Sequence, residues 1–397
     1  MSALISLVDA QERLLTLVNA ADTIAPQPVE SLLGGYLAEP LLAARTQPAA
    51  DVSAMDGYAV AGKGAWKLVG ESRCGLPFGS HLADGDAVRI STGAHCPAGT
   101  QAILIQENAQ VEGEILSQAD GALVPGEHIR REGFDFADGD PLLPGGTRIG
   151  PAQIALARAA GHGRLPARRK PRIVILECGD ELTSDPASCG HGQIPASNGA
   201  MLAAMASAEL CDIVATPPLR DTPDALVDAL DAHATADLLV FSGGASVGDH
   251  DHVRPSLQRA GADIAFWKVA MRPGKPVMVA QLGKQLILGL PGNPVSSFVT
   301  AFHFMLPAIR RLCGASECLV RPVPILLGRD MAAVGGRQEF VRAQIADGVV
   351  TPLDQRDSSA LLTLATANAL IDRPAHSAEM KAGTHVPTYP IQNGGNA

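Results

Sequence analysis

The sequence predicts a multidomain α/β plus β protein: a central α/β parallel-sheet domain, a β-rich second domain and a C-terminal β-barrel-like domain. Three observations predict it. Buried-type apolar runs alternate with amphipathic helical stretches over 172–312, the signature of strands laid parallel with helices across the sheet. Short alternating runs between Gly, Pro and Asp turns fill 66–143, a strand pattern with no long helix. The same short-run pattern returns after Arg321-Pro322. At 397 residues the chain exceeds one ordinary core, so several domains are expected.

Composition narrows the class. No apolar run approaches the ~20 residues of a membrane helix, and the N-terminus carries Asp9 and Glu12 where a secretory leader would be basic and then apolar. Seven cysteines without ligand-like spacing point to reduced thiols and a cytoplasmic protein. The net charge of −10 argues against nucleic acid as the main partner and leaves a small anionic substrate open.

Taken in order, residues 6–20 put Leu7, Leu14, Leu17 and Val18 on one helical face, and Val29–Ala44 reads as a second helix. Asp51 to Val60 is a run of small residues around Asp56-Gly57, on its own a tight turn. Arg89-Ile-Ser-Thr-Gly-Ala94 ends a strand on hydroxyls and glycine, and Arg130 to Asp135 gathers two cations and a carboxylate. A helix starts at Pro151, a favoured first-turn position, and stops at Gly161. Strands at 172–177, 238–241 and 285–290 alternate with helices at 198–210, 222–234 (capped by Thr222), 253–260 and 294–312. One helical turn falls near 359–367.

Three of those strands end on glycine turns, at Cys178-Gly179, Ser242-Gly243-Gly244 and Leu288-Gly289. Paired glycines reach positive φ and expose successive N–H groups to an anion. Asn293-Pro294 is a helix start with an Asn cap and Pro in the first turn, a ready anion site. In open α/β sheets ligands bind beyond the carboxyl ends of the strands, so these signals converge. Acidic residues converge there too: Glu181, Asp249 and Asp251. A carboxylate 5 Å from a phosphate repels it by roughly 3 kcal/mol at an effective dielectric of about 20. Two remedies exist, a divalent cation with oxygen ligands such as Mg²⁺, or the nearby Lys268, Arg272 and Lys275. His250 and His252 flank Asp251, but successive side chains of an extended chain alternate faces, which disfavours a zinc set.

Six motifs, in order, resemble the molybdopterin molybdenumtransferase family, which includes MoeA and the E domain of gephyrin: Ser53-Ala-Met-Asp-Gly-Tyr-Ala59, Arg89-Ile-Ser-Thr-Gly-Ala94, Gly179-Asp-Glu-Leu182, Ser242-Gly-Gly-Ala-Ser-Val-Gly248, Arg272-Pro-Gly-Lys-Pro276 and Gly289-Leu-Pro-Gly-Asn-Pro-Val-Ser296. Gln338-Glu-Phe-Val-Arg342 and the 358–368 stretch fit as well. The resemblance implies a homodimer of four-domain chains: a discontinuous N-terminal domain (1–50 and 142–170), a β-rich domain (51–141), a molybdopterin-binding α/β domain (171–320) and a C-terminal barrel (321–397). It implies a transferase that takes adenylylated molybdopterin and molybdate, releases AMP with Mg²⁺ and leaves molybdenum on the dithiolene. Its acidic positions fall on Asp56, Asp135, Glu181, Asp221 and Asp251, with Glu181 and Asp251 the metal ligands, its Thr-Gly-Ala hydroxyl on Thr92, and its lysines on Lys268 and Lys275. Ser242, Gly243, Gly244, Ser246, Arg272, Pro291, Gly292, Asn293 and Pro294 complete the expected substrate contacts. Partners would include a molybdopterin adenylyltransferase or the recipient molybdoenzymes.

The chain departs from the family pattern in places. Glu177-Cys178 replaces the usual Ser-Thr before Gly-Asp-Glu-Leu, Arg272 stands where Lys is frequent, Phe134 replaces an acid, Gln101 stands where an acid is usual, and Ala49-Ala50 replaces Pro-Phe. Two other functions compete, a molybdopterin adenylyltransferase and a non-catalytic molybdenum-cofactor carrier or scaffold. The first has no use for the first 150 residues or the C-terminal barrel. The second has no use for the retained acids.

Overall fold

The computed structural model describes residues 4–119, 123–244 and 252–391. Among them three six-stranded sheets form, one in each region where the sequence pattern predicts strands. The α/β sheet runs in the order Asp212–Ala215, Arg172–Glu177, Leu238–Ser242, Gln285–Leu290, Met278–Leu282, Asp263–Trp267. The first four strands are parallel; the last two add antiparallel, and the short Gly283-Lys284 turn joins Met278–Leu282 to its neighbour Gln285–Leu290. A parallel addition would have needed a crossover connection, and two residues permit only a hairpin.

Alternation along the central strands explains both faces of this sheet. Ile173, Ile175, Leu238, Val240, Leu286 and Leu288 point to one side and join the main core. Val174, Leu176, Leu239, Phe241 and Ile287 point to the other, against the helices Pro223–Ala232 and Val253–Arg259. Each such fully buried side chain contributes about 1.5–3 kcal/mol. The first helix, Leu7–Leu17, is capped by Ser6 and lays Leu7, Ala10 and Leu14 into the main core. It therefore packs on the α/β region despite its place at the start of the chain.

The helix after Asn293 runs through Pro294–Thr300, a π-helical segment Ala301–Met305 and Leu306–Cys313, and stops at Gly314 with φ +92°. Pro307 lacks the N–H that would pair with the His303 carbonyl, and Gln11 Nε2 donates to that carbonyl at 3.0 Å.

In the N-terminal part, Thr23–Pro28 pairs with Arg164–Arg168, and Leu41–Leu42 with Pro141–Leu143. The expected helix Val29–Ala44 does not form. Only a 3-10 turn at Val29–Leu32 does, because Gly34 turns the chain at φ +82° and Pro40 precedes the strand Leu41–Leu42. The second sheet orders Ala102–Ile105, Gly57–Val60, Asp86–Ile90, Trp66–Ser72, Ile115–Gln118 and Ala109–Glu112.

In the C-terminal part, Gln338–Ala346, Val349–Pro352, Val323–Leu327, His385–Pro390 and Ala369–Arg373 pair in a ring that closes when the last meets the first. Met271–Arg272, from the α/β region, adds in parallel to Gln338-Glu339. The barrel is thus hydrogen-bonded to the loop that carries Arg272 and Lys275. Among the described residues no helix is long and apolar enough to cross a membrane.

Candidate functional site

Three parallel strands end side by side, and their turns enclose a cavity of about 550 Å³ lined by Glu181, Asp221, Ser242–Gly244 and Pro291–Pro294. Gly243 and Gly244 take φ +94° and +66°. A Cβ at Gly243 would lie 2.4 Å from the Cys178 carbonyl oxygen, so that turn exists only with glycine. Ser242 Oγ accepts from Asn198 Nδ2 at 3.0 Å and lies 3.4 Å from Ser297 Oγ. The Glu181 carboxylate folds back over Gly179, within 2.7 Å of where a Cβ would sit. Asp221 is anchored by its N–H to Asp180 Oδ1 at 3.3 Å. Asn293 sits at the predicted cap position but does not cap. Its Nδ2 donates to Ser358 Oγ at 3.0 Å, in the loop that follows the barrel strand Val349–Pro352.

A second cavity, about 360 Å³, lies between the α/β region and the barrel. Five cations line it (Arg272, Lys275, Arg337, Arg342 and Arg356) against two acids, Glu339 and Asp357. Arg272 and Arg356 share the Glu339 carboxylate, at 3.2 and 3.9 Å. Arg342 is buried and gives its guanidinium to the carbonyls of Gln355, Asp357 and Ala360. The cavities adjoin: Pro276 lines both, and Ser358 and Ser359 face one each.

The structure does not bring every expected residue here. Lys268 lies 3.9 Å above the Trp267 ring, with Arg254 on the same indole at 4.5 Å, and lines neither cavity. Asp56 and Thr92 are together elsewhere: Asp56 Oδ1 accepts from Thr92 N–H at 2.7 Å and Thr92 Oγ1 at 3.0 Å. Those hydrogen bonds, the backbone one first, hold the Asp56 carboxyl below its ordinary range. Asp135 is exposed, its N–H given to the Gln47 carbonyl at 3.0 Å. None of the described lining residues of either cavity comes from 51–141. Ser246 and Asp251 lie outside the described residues.

The site can be compared with known proteins. A model of the MoeA N-terminal region (domain I and II) matches residues 5–161, one of a probable molybdopterin binding domain matches 174–311, and one of the MoeA C-terminal region (domain IV) matches 324–391. Molybdopterin molybdenumtransferase 2 of Mycobacterium tuberculosis is 33% identical over 380 residues, covering 91% of this chain and 92% of its own. The chain belongs to the molybdopterin molybdenumtransferase family. It is a transferase of molybdenum cofactor biosynthesis, as its motifs imply. A family member from Nostoc is 32% identical over 377 residues, covering 89% of this chain and 85% of its own. The crystal structure of the molybdopterin biosynthesis MoeA protein from Pyrococcus horikoshii OT3 superposes with a TM-score of 0.84 at 25% identity, over 97% of this chain and 99% of that one.

Within this MoeA-type chain, sequence reasoning passes over Asn198 at the cavity floor and notes Glu177 there only as a departure from the family pattern. Asn198 is buried and donates from Nδ2 to both Ser242 Oγ (3.0 Å) and the Gly292 carbonyl (2.7 Å), tying two of the three turns together. Glu177, buried at the end of its strand, accepts from the N–H groups of Asn198 and Gly199. The signal for Asn198 was the polar Ser197-Asn198 pair opening a helix. For Glu177 it was a carboxylate ending an otherwise apolar strand.

Proposed function

We propose that this chain inserts molybdenum from molybdate into adenylylated molybdopterin, with Mg²⁺-dependent release of AMP. The observation that supports this best is the pair of adjoining cavities of opposite character, one built of backbone turns and acids, the other of cations. A phosphate of the pterin substrate would sit against the Gly243-Gly244 turn and the helix start at Asn293, where backbone N–H groups and the helix dipole favour it. The tetrahedral oxyanion would enter the cation-lined cavity beside Lys275 and Arg272, whose guanidinium fork suits such an anion.

The described residues fit a magnesium ion. The first cavity offers Glu181 and Asp221 as hard oxygen donors, and among the described residues no Lys or Arg lines it. Among the described residues no group of three His, Cys, Asp or Glu forms a ready cage; Mg²⁺ commonly takes one or two carboxylates and completes its shell with substrate phosphate and water. We assign Glu181 as one holder, with Asp251 the other by family position. When bound, the ion would neutralise charge on the departing phosphate. Asn198 and Ser242 keep the turns in register, and Asp221 closes one wall.

We further propose a homodimer working in the cytoplasm, divided at about residues 50, 141, 170 and 320, with Asp56, Thr92 and Asp135 reaching the cavities of the other subunit. The adenylyltransferase alternative is not favoured, because the family matches extend over the N- and C-terminal regions that it would leave idle. Purified protein given adenylylated molybdopterin, Mg²⁺ and molybdate should release AMP. No AMP above the level of a Lys275→Ala control would overturn the reading.

A further inference from the structure

Two helix N-termini open on the 550 Å³ cavity, and the chain treats them differently. Asn198–Ala206 presents its first N–H groups to Glu177: Asn198 N–H donates to Oε1 at 3.1 Å and Gly199 N–H to Oε2 at 2.8 Å. Glu177 is 6% exposed and Asn198 4%, so this contact is buried at the cavity floor. A Cβ at Gly199 would come within 3.0 Å of Oε2, which shows how closely the carboxylate covers that end. At the other N-terminus Asn293 and Pro294 line this cavity and Val295 and Ser296 the adjoining one, and among the described residues no side chain caps the helix and no carboxylate bonds its N–H groups: Asn293 Nδ2 turns to Ser358 Oγ, and Val295 N–H donates to the Ser358 carbonyl at 3.1 Å.

We propose that Glu177 is an internal anion that directs the substrate's phosphate, closing the N-terminus of Asn198–Ala206 so that the phosphate settles at Asn293–Ser296 in one register. The inference rests on the reading of this cavity as a phosphate site. A helix N-terminus carries roughly half a positive charge, so two open ends in one cavity would hold an anion in two places. A tethered carboxylate outcompetes a free anion at its own end, since its binding is intramolecular. It also repels a second negative charge placed beside it. Through Asn198 the same clamp reaches the Ser242 hydroxyl and the Gly292 carbonyl. Glu177 is thus a positioning residue, and it stands where the family pattern usually has a hydroxyl.

The test uses the full chain and inorganic phosphate as probe, followed through backbone amide shifts. In the wild type, phosphate should move the amides of Val295, Ser296 and Ser297 and leave Asn198 and Gly199 unmoved. In Glu177→Ala, Asn198 and Gly199 should respond as well, kcat for AMP release should fall about 10-fold with KM unchanged or lower, and added formate should restore turnover by refilling the vacated end. Glu177→Gln keeps the bulk and one acceptor but loses the charge. It carries the test if the alanine variant does not fold: directing by charge predicts the same fall in kcat without a rise in KM, and a packing role predicts wild-type kcat. A folded Glu177→Ala in which phosphate does not reach Asn198 and Gly199, and formate does not help, overturns the proposal. A wild type whose Val295, Ser296 and Ser297 amides ignore phosphate overturns the reading of the cavity itself.

Discussion

Gly243 and Gly292 face each other across the candidate phosphate site, with very different room for a side chain. A Cβ at Gly243 would meet the Cys178 carbonyl oxygen at 2.4 Å, on a residue already at φ +94°. Among the described residues, one at Gly292 would meet nothing closer than Gly243 Cα, at 3.5 Å, an ordinary contact. Gly244 is the poorer probe, because its φ is +66° and a Cβ would lie 2.9 Å from Val253 Cγ2. Gly292→Ala should therefore fold with wild-type stability and raise KM for the pterin substrate, since the added methyl group occupies the approach to backbone N–H. Gly243→Ala should lose at least 1–2 kcal/mol from left-handed strain alone, before the carbonyl clash. Denaturant unfolding and substrate titration of the two variants separate approach from fold. Equal KM for Gly292→Ala and wild type would remove the backbone turn from the site.

At the scale of elements, the joint between barrel and α/β region decides the shape of both cavities. Arg342 is 5% exposed and ties the carbonyls of Gln355, Asp357 and Ala360 into one loop. That loop delivers Ser358 to Asn293 and Val295. Arg342→Met keeps bulk and removes every donor, leaving acceptors to find water or stay unpaired, at about 1–3 kcal/mol per buried group. It should lose about 2–4 kcal/mol of stability and weaken oxyanion binding, measured by unfolding and by titration with molybdate. Unchanged binding in a folded variant would detach the loop from the site. The sequence makes some of this legible. Glycine turns at strand ends locate the first cavity because their conformational need is local, and Thr222 caps its helix as its type predicts, accepting from Ala225 N–H at 3.3 Å. What depends on partners far along the chain is not legible. Asn293 has a cap residue's identity, yet Ser358, 65 residues on, takes its amide. Lys268 has the charge for the site, yet the neighbouring Trp267 ring takes it. Val29–Ala44 has apolar residues at helical spacing, yet Gly34 and Pro40 end the helix after one turn.

At the scale of the whole molecule, the acids singled out by the resemblance lie in two places among the described residues. Glu181 and Asp221 line the first cavity, while Asp56, Thr92 and Asp135 belong to 51–141, which supplies no described residue to either cavity. Asp56 is nonetheless held ionised and oriented by Thr92, and large apolar side chains stand exposed next to both acids, Met55 at 39% and Phe134 at 72%. An oriented acid and exposed apolar groups suit a surface that another chain covers. In a two-fold dimer each composite site would take Asp56 from one subunit and Lys275 from the other. Asp56→Ala and Lys275→Ala should then each be nearly inactive as pure dimers. Mixed after exchange, half of the dimers would be hybrids, each with one intact site and one doubly altered site, so about a quarter of wild-type AMP release should return. Differently tagged subunits allow the hybrids to be isolated and their turnover measured directly. If both acid and lysine act within one chain, every site in a hybrid lacks one of them, and isolated hybrids stay as inactive as their parents.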